Sequence, residues 1–484
     1  MAVLALVYKL STSLFLLLSL LWGAAIAVSS KPNGFSVELM HIFSPASPLY
    51  PGNISFQEEM QRLLQRSDVR MRHIDATIAS ALTLSNNMSQ TAKNQLDDEF
   101  IRPQVEYYPI ASYIVAVGVG TFPDAKFPER PFKSYYLYMD TGSSLTWVLC
   151  ADCEKQKPPR CFKTREPPFP NGESQSYKPL PCNKHRFCTP NLCIGDYCSE
   201  ATGYVGGTHI TAILAEETFT FLSNKGRPLP IEDIVFGCAH DTRNVDFGSQ
   251  EDFKVAGFMG LGYSPSSFPL QISHLIQGKF SFCLSHNREI PTYLRFGGDI
   301  PEPSSGLRVT NLVLIPEIPY YYVNLKAISV NGQKLLIDPS VFALRSGGYQ
   351  GGCLMDNGSS VTYLITPAYK ALVKFLEMFY MRYPNYVRHL GPINPAFELC
   401  YRWAPPIVPL PAVTFHFEGA DLELKDEAFI TLEDRDGSSI LCLAMMENTV
   451  RTIVGSLQQT NYRFIYDLNN ALLKFVPEDC AKWS

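Results

Sequence analysis

The chain has 484 residues, a formal net charge of −5 and a pI near 6.0, which excludes the basic surface expected of a nucleic-acid binder. Charged residues make up only 18%, aromatics make up 12%, and there are 36 prolines and 31 glycines. That mix excludes a disordered chain or a helical array and favours a strand- and turn-rich globular protein, long enough for two lobes plus processing segments.

In chain order, the first element is a targeting segment. Lys9 precedes an apolar stretch from Leu10 to Trp22, and Ala25-Ile26-Ala27 supplies small residues suited to cleavage. This reads as a signal peptide over residues 1–27 in preference to a membrane anchor, because the apolar core is short and small residues follow it. No later run approaches membrane length, and the end, Cys480 to Ser484, has no apolar tail. The expectation is a secreted protein (extracellular or apoplastic) with no membrane attachment after signal removal. The vacuole is the alternative destination.

Residues 28–105 contain no cysteine and carry a charged helical stretch, Gln57 to Ile78, with Arg62, Arg66, Arg70 and Arg72. A polar, protease-accessible segment with Asp97-Asp98-Glu99 follows, so a removable propeptide is preferred over an accessory helical domain. The predicted mature N-terminus lies at about 95–110. From Tyr107 onward short apolar strands alternate with Gly, Pro and Asn turns, which predicts an all-β body. Its clearest helix spans Thr366 to Tyr380, with Pro367 suited to a first turn.

One pattern occurs twice. Met139-Asp140-Thr141-Gly142-Ser143-Ser144-Leu145-Thr146-Trp147 is echoed by Met355-Asp356-Asn357-Gly358-Ser359-Ser360-Val361-Thr362-Tyr363, and the aspartates stand 216 positions apart. Each follows an apolar run and precedes a turn in which Gly permits close backbone approach and hydroxyls can hydrogen-bond a carboxylate. A lone Asp-Thr-Gly is an ordinary turn signal; two copies in register point to a duplicated strand–turn presenting one Asp per half. Two carboxylates held about 3 Å apart cannot both ionise, so one keeps a proton while the other activates water, which is the established chemistry of such dyads.

Eight of the thirteen cysteines (150, 153, 161, 182, 188, 193, 198 and 238) lie in the first half and five (283, 353, 400, 442 and 480) follow. Cys150-x2-Cys153 and the 182–198 cluster also fit zinc ligation, but in an exported chain disulfides are favoured. Connectivity stays open. The odd total leaves one free thiol, expected at Cys353 in the apolar run before the second turn, where it acts as a small hydrophobe. The insertion at 150–198 is poor in periodic apolar residues and is expected to be held by disulfides.

These residues resemble the pepsin-like aspartic endopeptidases, specifically the plant nepenthesin-like branch, from about residue 34 to the end. Phe35-Ser36-Val37-Glu38-Leu39-Met40-His41 and Ser44-Pro45-Ala46-Ser47-Pro48-Leu49-Tyr50 resemble that branch's propeptide signature, and Gly120-Thr121-Phe122-Pro123 its mature start. Without Cys353, the cysteines keep the family's order of eight then four. The resemblance implies an all-β, bilobal pepsin-like fold with a central cleft. It divides the chain into an N-terminal lobe at 106–303, with a flap near Tyr204, and a C-terminal lobe at 304–484.

The resemblance also assigns roles. Asp140 and Asp356 match the catalytic dyad, with Thr141, Gly142, Ser143, Asn357, Gly358 and Ser359 supporting the two turns. Tyr204 matches the flap tyrosine and Trp147 the indole that braces it, while Met259-Gly260-Leu261-Gly262 and Ile453-Val454-Gly455-Ser456 match the segments threading beneath the turns. Three departures stand out: Asn357 where the family has Ser or Thr, Val205 and Ala212 in the flap, and Ser456 for a common Asn.

The function implied is a secreted aspartic endopeptidase working at acid pH without cofactor or metal, as a monomer on protein or peptide substrates. The alternative is a catalytically weak or inactive binder on the same scaffold, such as the plant xylanase-inhibitor-like proteins; these typically lack an aspartate or its turn, and both are kept here. A storage role is a distant third. Of the sequons at Asn53, Asn87 and Asn357, the last lies in the dyad turn and is read as unused.

Overall fold

Each half of the chain builds the same three-strand device around its aspartate. In the first, Lys133–Asp140 enters the turn and Trp147–Leu149 leaves it, and Val255–Gly260 threads between them, parallel to the first strand and antiparallel to the second. In the second, Cys353–Met355 enters, Thr362–Ile365 leaves, and Thr452–Val454 threads between. The close approach explains the glycines: a Cβ on Gly260 would strike the Ser144 carbonyl, and one on Gly455 the Val361 carbonyl.

The computed structural model describes residues 34–88, 113–122 and 131–482, apart from short breaks at 163, 205–207, 223–226, 244–253, 288, 291, 304, 316–317, 390–396, 404, 406–407 and 434–436. The expected signal peptide, the expected maturation site and Val205 lie outside the described residues. No helix among them is long and apolar enough to cross a membrane.

The body is all-β with few helices and two related lobes. Strands from both halves join one extended sheet: Lys279–Cys283 of the first half pairs antiparallel with Tyr462–Asp467 of the second, which pairs in turn with Leu472–Pro477. Phe280 and Tyr466 stack across this junction at 4.7 Å. The predicted helix over Thr366–Tyr380 forms as expected and buries Ala368, Tyr369, Leu372, Val373 and Leu376.

Two elements come from the segment before residue 105. Gly34–His41 is a strand that inserts between Thr292–Gly297 and Tyr113–Val119, so the N-terminal segment is built into the sheet and not merely laid on it. The helix read at Gln57–Ile78 runs from Phe56 to Met88. Ser55 Oγ accepts from the Glu58 N–H at 3.2 Å, and Glu58 and Glu59 complement the positive helix start. Its buried stripe is Met60, Leu63, Leu64, Ser67, Arg70, Ile74 and Ile78, at intervals of three and four.

Six disulfides form. Cys150–Cys238 ties the insertion to the long strand Pro228–Arg243, while Cys153–Cys161, Cys182–Cys193 and Cys188–Cys198 close loops within it. Cys283–Cys480 ties the first half to the C-terminal end of the second, Cys400–Cys442 lies within the second half, and Cys353 is free and buried, as expected. Every cysteine that could have suggested a zinc ligand is therefore in a disulfide: Cys150 and Cys153 with Cys238 and Cys161, and the four of the 182–198 cluster among themselves. The insertion gives more to the interior than its composition suggested, since Phe162, Phe169 and Leu180 are all buried.

Candidate active site

The duplicated turns bring Asp140 and Asp356 together at the lobe junction, both essentially without solvent exposure. Backbone and hydroxyl donors fix each carboxylate. Gly142 N–H donates to Asp140 Oδ1 at 2.9 Å, and the Ser143 hydroxyl donates to Asp140 Oδ2. Gly358 N–H donates to Asp356 Oδ1 at 3.1 Å, while Ser359 donates to Oδ2 from its N–H at 3.1 Å and its Oγ at 2.8 Å. The two halves hold their aspartates in equivalent ways, as the repeated sequence requires.

Asn357 links the turns. Its Oδ1 accepts from Thr141 N–H at 2.9 Å and from Thr141 Oγ1 at 2.8 Å, and its own N–H donates to Thr141 Oγ1 at 3.1 Å. The amide oxygen thus fills the place of a hydroxyl and keeps the lock between the lobes. The amide nitrogen has no such place: Asn357 Nδ2 is buried without a hydrogen-bond partner among the described residues. Glycosylation would need that nitrogen, and its burial agrees with an unused sequon.

Between the aspartates sits Arg70 of the N-terminal helix, which is fully buried. Its Nη2 donates to Asp140 Oδ1 at 2.6 Å and to Asp356 Oδ1 at 3.0 Å. Its Nη1 donates to Asp140 Oδ2 at 3.0 Å and its Nε to Asp356 Oδ2 at 2.9 Å. One guanidinium therefore occupies all four carboxylate oxygens, a use of its planar fork that a lysine could not match. Gly142 and Gly358 make room for it: a Cβ on Gly142 would strike the guanidinium, and one on Gly358 would lie 2.8 Å from Asp140 Oδ1.

The two carboxyls respond differently. Burial pushes Asp356 up, but the Arg70 charge, its direct hydrogen bond and the donors from Ser359 and Gly358 outweigh this and leave it below the ordinary carboxylate range. Burial also pushes Asp140 up. There Arg70 opposes it, the Asp356 charge adds to it, and the result stays raised. Burial, followed by the charge of Arg70, draws the His73 imidazole down to about 3, and Asp356 opposes that shift.

Further helix residues anchor on the second lobe. Ser67 Oγ accepts from Ser360 N–H at 2.8 Å, Asp68 Oδ1 accepts from Tyr363 Oη at 2.7 Å, and Asp75 Oδ1 accepts from Arg451 Nε at 2.9 Å. A cavity of about 160 Å³ remains beside the dyad, lined among others by His73, Thr77, Leu145, Trp147 and Glu200. Trp147 stacks on Phe258 at 5.5 Å and meets Phe162 edge-on. Tyr204 ends the strand Tyr197–Tyr204 and pairs with Thr208 in a hairpin, which puts the expected flap residue near a hairpin tip; its side chain lies outside the described residues. Sequence reading flagged four arginines but did not single out Arg70. The available signal was an arginine within an apolar stripe of period three to four.

Two family models match the chain, "Xylanase inhibitor N-terminal" at residues 113–298 and "Xylanase inhibitor C-terminal" at 320–477. The chain is 27% identical to aspartic proteinase nepenthesin-1 of Nepenthes gracilis over 460 residues, covering 93% of this chain and 92% of that one. It is 30% identical to aspartyl protease family protein 2 of Arabidopsis thaliana over 379 residues, covering 76% and 71%. The chain belongs to the pepsin-like aspartic endopeptidases. Nepenthesins and other plant aspartic proteases recur among its relatives, in keeping with the resemblance read from the motifs. The crystal structure of basic 7S globulin from soybean shares the fold, with a TM-score of 0.57 at 18% identity, over 77% of this chain and 99% of that one.

Proposed function

We propose that this chain is the zymogen of a secreted aspartic endopeptidase that hydrolyses peptide bonds at acid pH once residues 28–105 are removed. Asp140 and Asp356 share one proton. The ionised member takes a proton from a water lodged between them as that water attacks the scissile carbonyl, and the protonated member donates to the carbonyl oxygen. The resulting tetrahedral intermediate collapses as the amine leaves with a proton, and no covalent enzyme adduct forms. Thr141, Gly142, Ser143, Asn357, Gly358 and Ser359 hold the pair, while Tyr204 closes over substrate and Trp147 braces it.

The observation that carries this reading is the seat of Arg70 on both carboxylates. Two buried carboxylates need a compensating charge in any protein, but here that charge comes from the segment before residue 105, and the attacking water cannot enter while its guanidinium is there. The second reading, a binding protein like the xylanase inhibitors, draws support from the descriptions of the two family models. Acid treatment of the full chain separates the two. The proposal expects loss of the N-terminal segment and hydrolysis of a denatured protein, abolished by pepstatin; a chain that sheds its helix and still hydrolyses nothing supports the binder.

A further inference from the structure

Arg451 lies immediately before the threading strand Thr452–Val454 and is 2% exposed. Two of its contacts belong to its own lobe: Nη1 donates to Tyr322 Oη at 3.2 Å and Nη2 to the Tyr349 carbonyl at 3.3 Å. The third, from Nε to Asp75 Oδ1 at 2.9 Å, belongs to the N-terminal helix. The lobe thus fixes two arms of the fork, and the carboxylate that completes it arrives on the inhibitory segment.

The position along the cleft follows from helix geometry. Asp75 is five residues beyond Arg70, or about 7.5 Å along the axis, and Ser67, which meets Ser360, lies on the other side of Arg70. An extended peptide advances about 3.3 Å per residue, so a chain that takes the line of the helix across the dyad reaches Arg451 about two residues from its scissile bond, on the side away from Ser360.

We propose that Arg451 is a specificity-determining residue of the mature enzyme, forming a subsite for a substrate Asp or Glu about two residues from the scissile bond. This rests on the reading that the helix leaves and a peptide takes its place. Removal of Asp75 leaves an oriented guanidinium with one unused donor, and a peptide carboxylate restores the lost charge-assisted hydrogen bond. A peptide Lys or Arg at that position meets like charge.

The test uses the acid-processed enzyme and peptides with one fixed cleavable bond, carrying Asp, Asn or Lys at each of the four positions on either side. At pH 5, kcat/KM for Asp should exceed that for Asn about tenfold at one position about two residues from the bond, and Lys should fall below Asn there. The Asp/Asn ratio should shrink toward one at pH 3 as the peptide carboxyl, with an ordinary value near 4, takes up its proton. In Arg451→Gln the ratio should collapse at both pH values. An Asp/Asn ratio near one at every position in the unmodified enzyme, or a ratio that survives Arg451→Gln, would overturn the proposal. The first of these results needs no variant to fold. If even the all-neutral peptide is not cleaved, the hydrolytic reading itself fails, and the subsite with it.

Discussion

Thr141 and Asn357 exchange hydrogen bonds in both directions across the lobe junction, with Asn357 Oδ1 accepting two and Thr141 Oγ1 accepting one. The side chain that departs from the family pattern therefore preserves its mechanical role. Asn357→Ala removes the acceptor for Thr141 N–H and Oγ1 and should cost about 1–3 kcal/mol of stability, with a lower kcat and little change in KM. Asn357→Thr keeps an acceptor and removes the orphaned Nδ2, so its stability should equal or exceed that of the parent. Denaturant unfolding and steady-state kinetics of the three proteins check this, and an Ala variant as stable as the parent would count against the lock.

Acid sensitivity of the docked helix should come chiefly from His73. Its imidazole sits at about 3 when docked, against an ordinary value near 6.5, with Arg70 and Asp356 facing it. A base whose value is depressed by docking stabilises the docked state fully above pH 6.5, and that contribution is lost progressively as pH falls toward 3. Asp356, held low, adds a loss below its ordinary value of about 4, whereas Asp140 and Asp75, both held high, act in the opposite sense. His73→Gln should move the midpoint of acid processing down by about one pH unit. Gel analysis of processing against pH reads this directly, and an unmoved midpoint would exclude His73 as the sensor.

Removing one carboxylate should have opposite consequences before and after processing. In the mature enzyme Asp140→Asn or Asp356→Asn abolishes hydrolysis and relieves like-charge crowding, so the fold survives. In the full chain the same change removes one of the two negative charges that face a buried guanidinium and turns one acceptor into a donor, and should destabilise by about 3–5 kcal/mol. Residual acid protease activity in either variant, after contaminants are excluded, would remove the dyad assignment.

The duplicated turns, the dyad, the free Cys353 and the Thr366–Tyr380 helix were legible because each depends on local pattern: a repeat, an apolar run, a proline in a first turn. Arg70 was not, because choosing among Arg62, Arg66, Arg70 and Arg72 requires the phase of the helix against a cleft formed by two distant segments. The Gly34–His41 strand escaped for a related reason, since its partners lie some 80 and 260 residues away along the chain. The effect of Asn357 could not be judged from residue type alone; it turned on whether an amide oxygen reaches Thr141. The Asp75–Arg451 pair, separated by 376 positions, leaves no trace in the sequence.

The central claim is that Arg70 keeps the dyad silent, and Arg70→Met in the full chain tests it most directly. Methionine keeps much of the length and none of the four hydrogen bonds, so two buried carboxylates lose their shared cation. The unmodified full chain and the Arg70→Met full chain are held at pH 5, and pepstatin-sensitive hydrolysis of a denatured protein is followed from the moment of mixing. The account predicts at least tenfold faster onset of activity in the variant. A variant that stays as silent and as intact as the parent would contradict it.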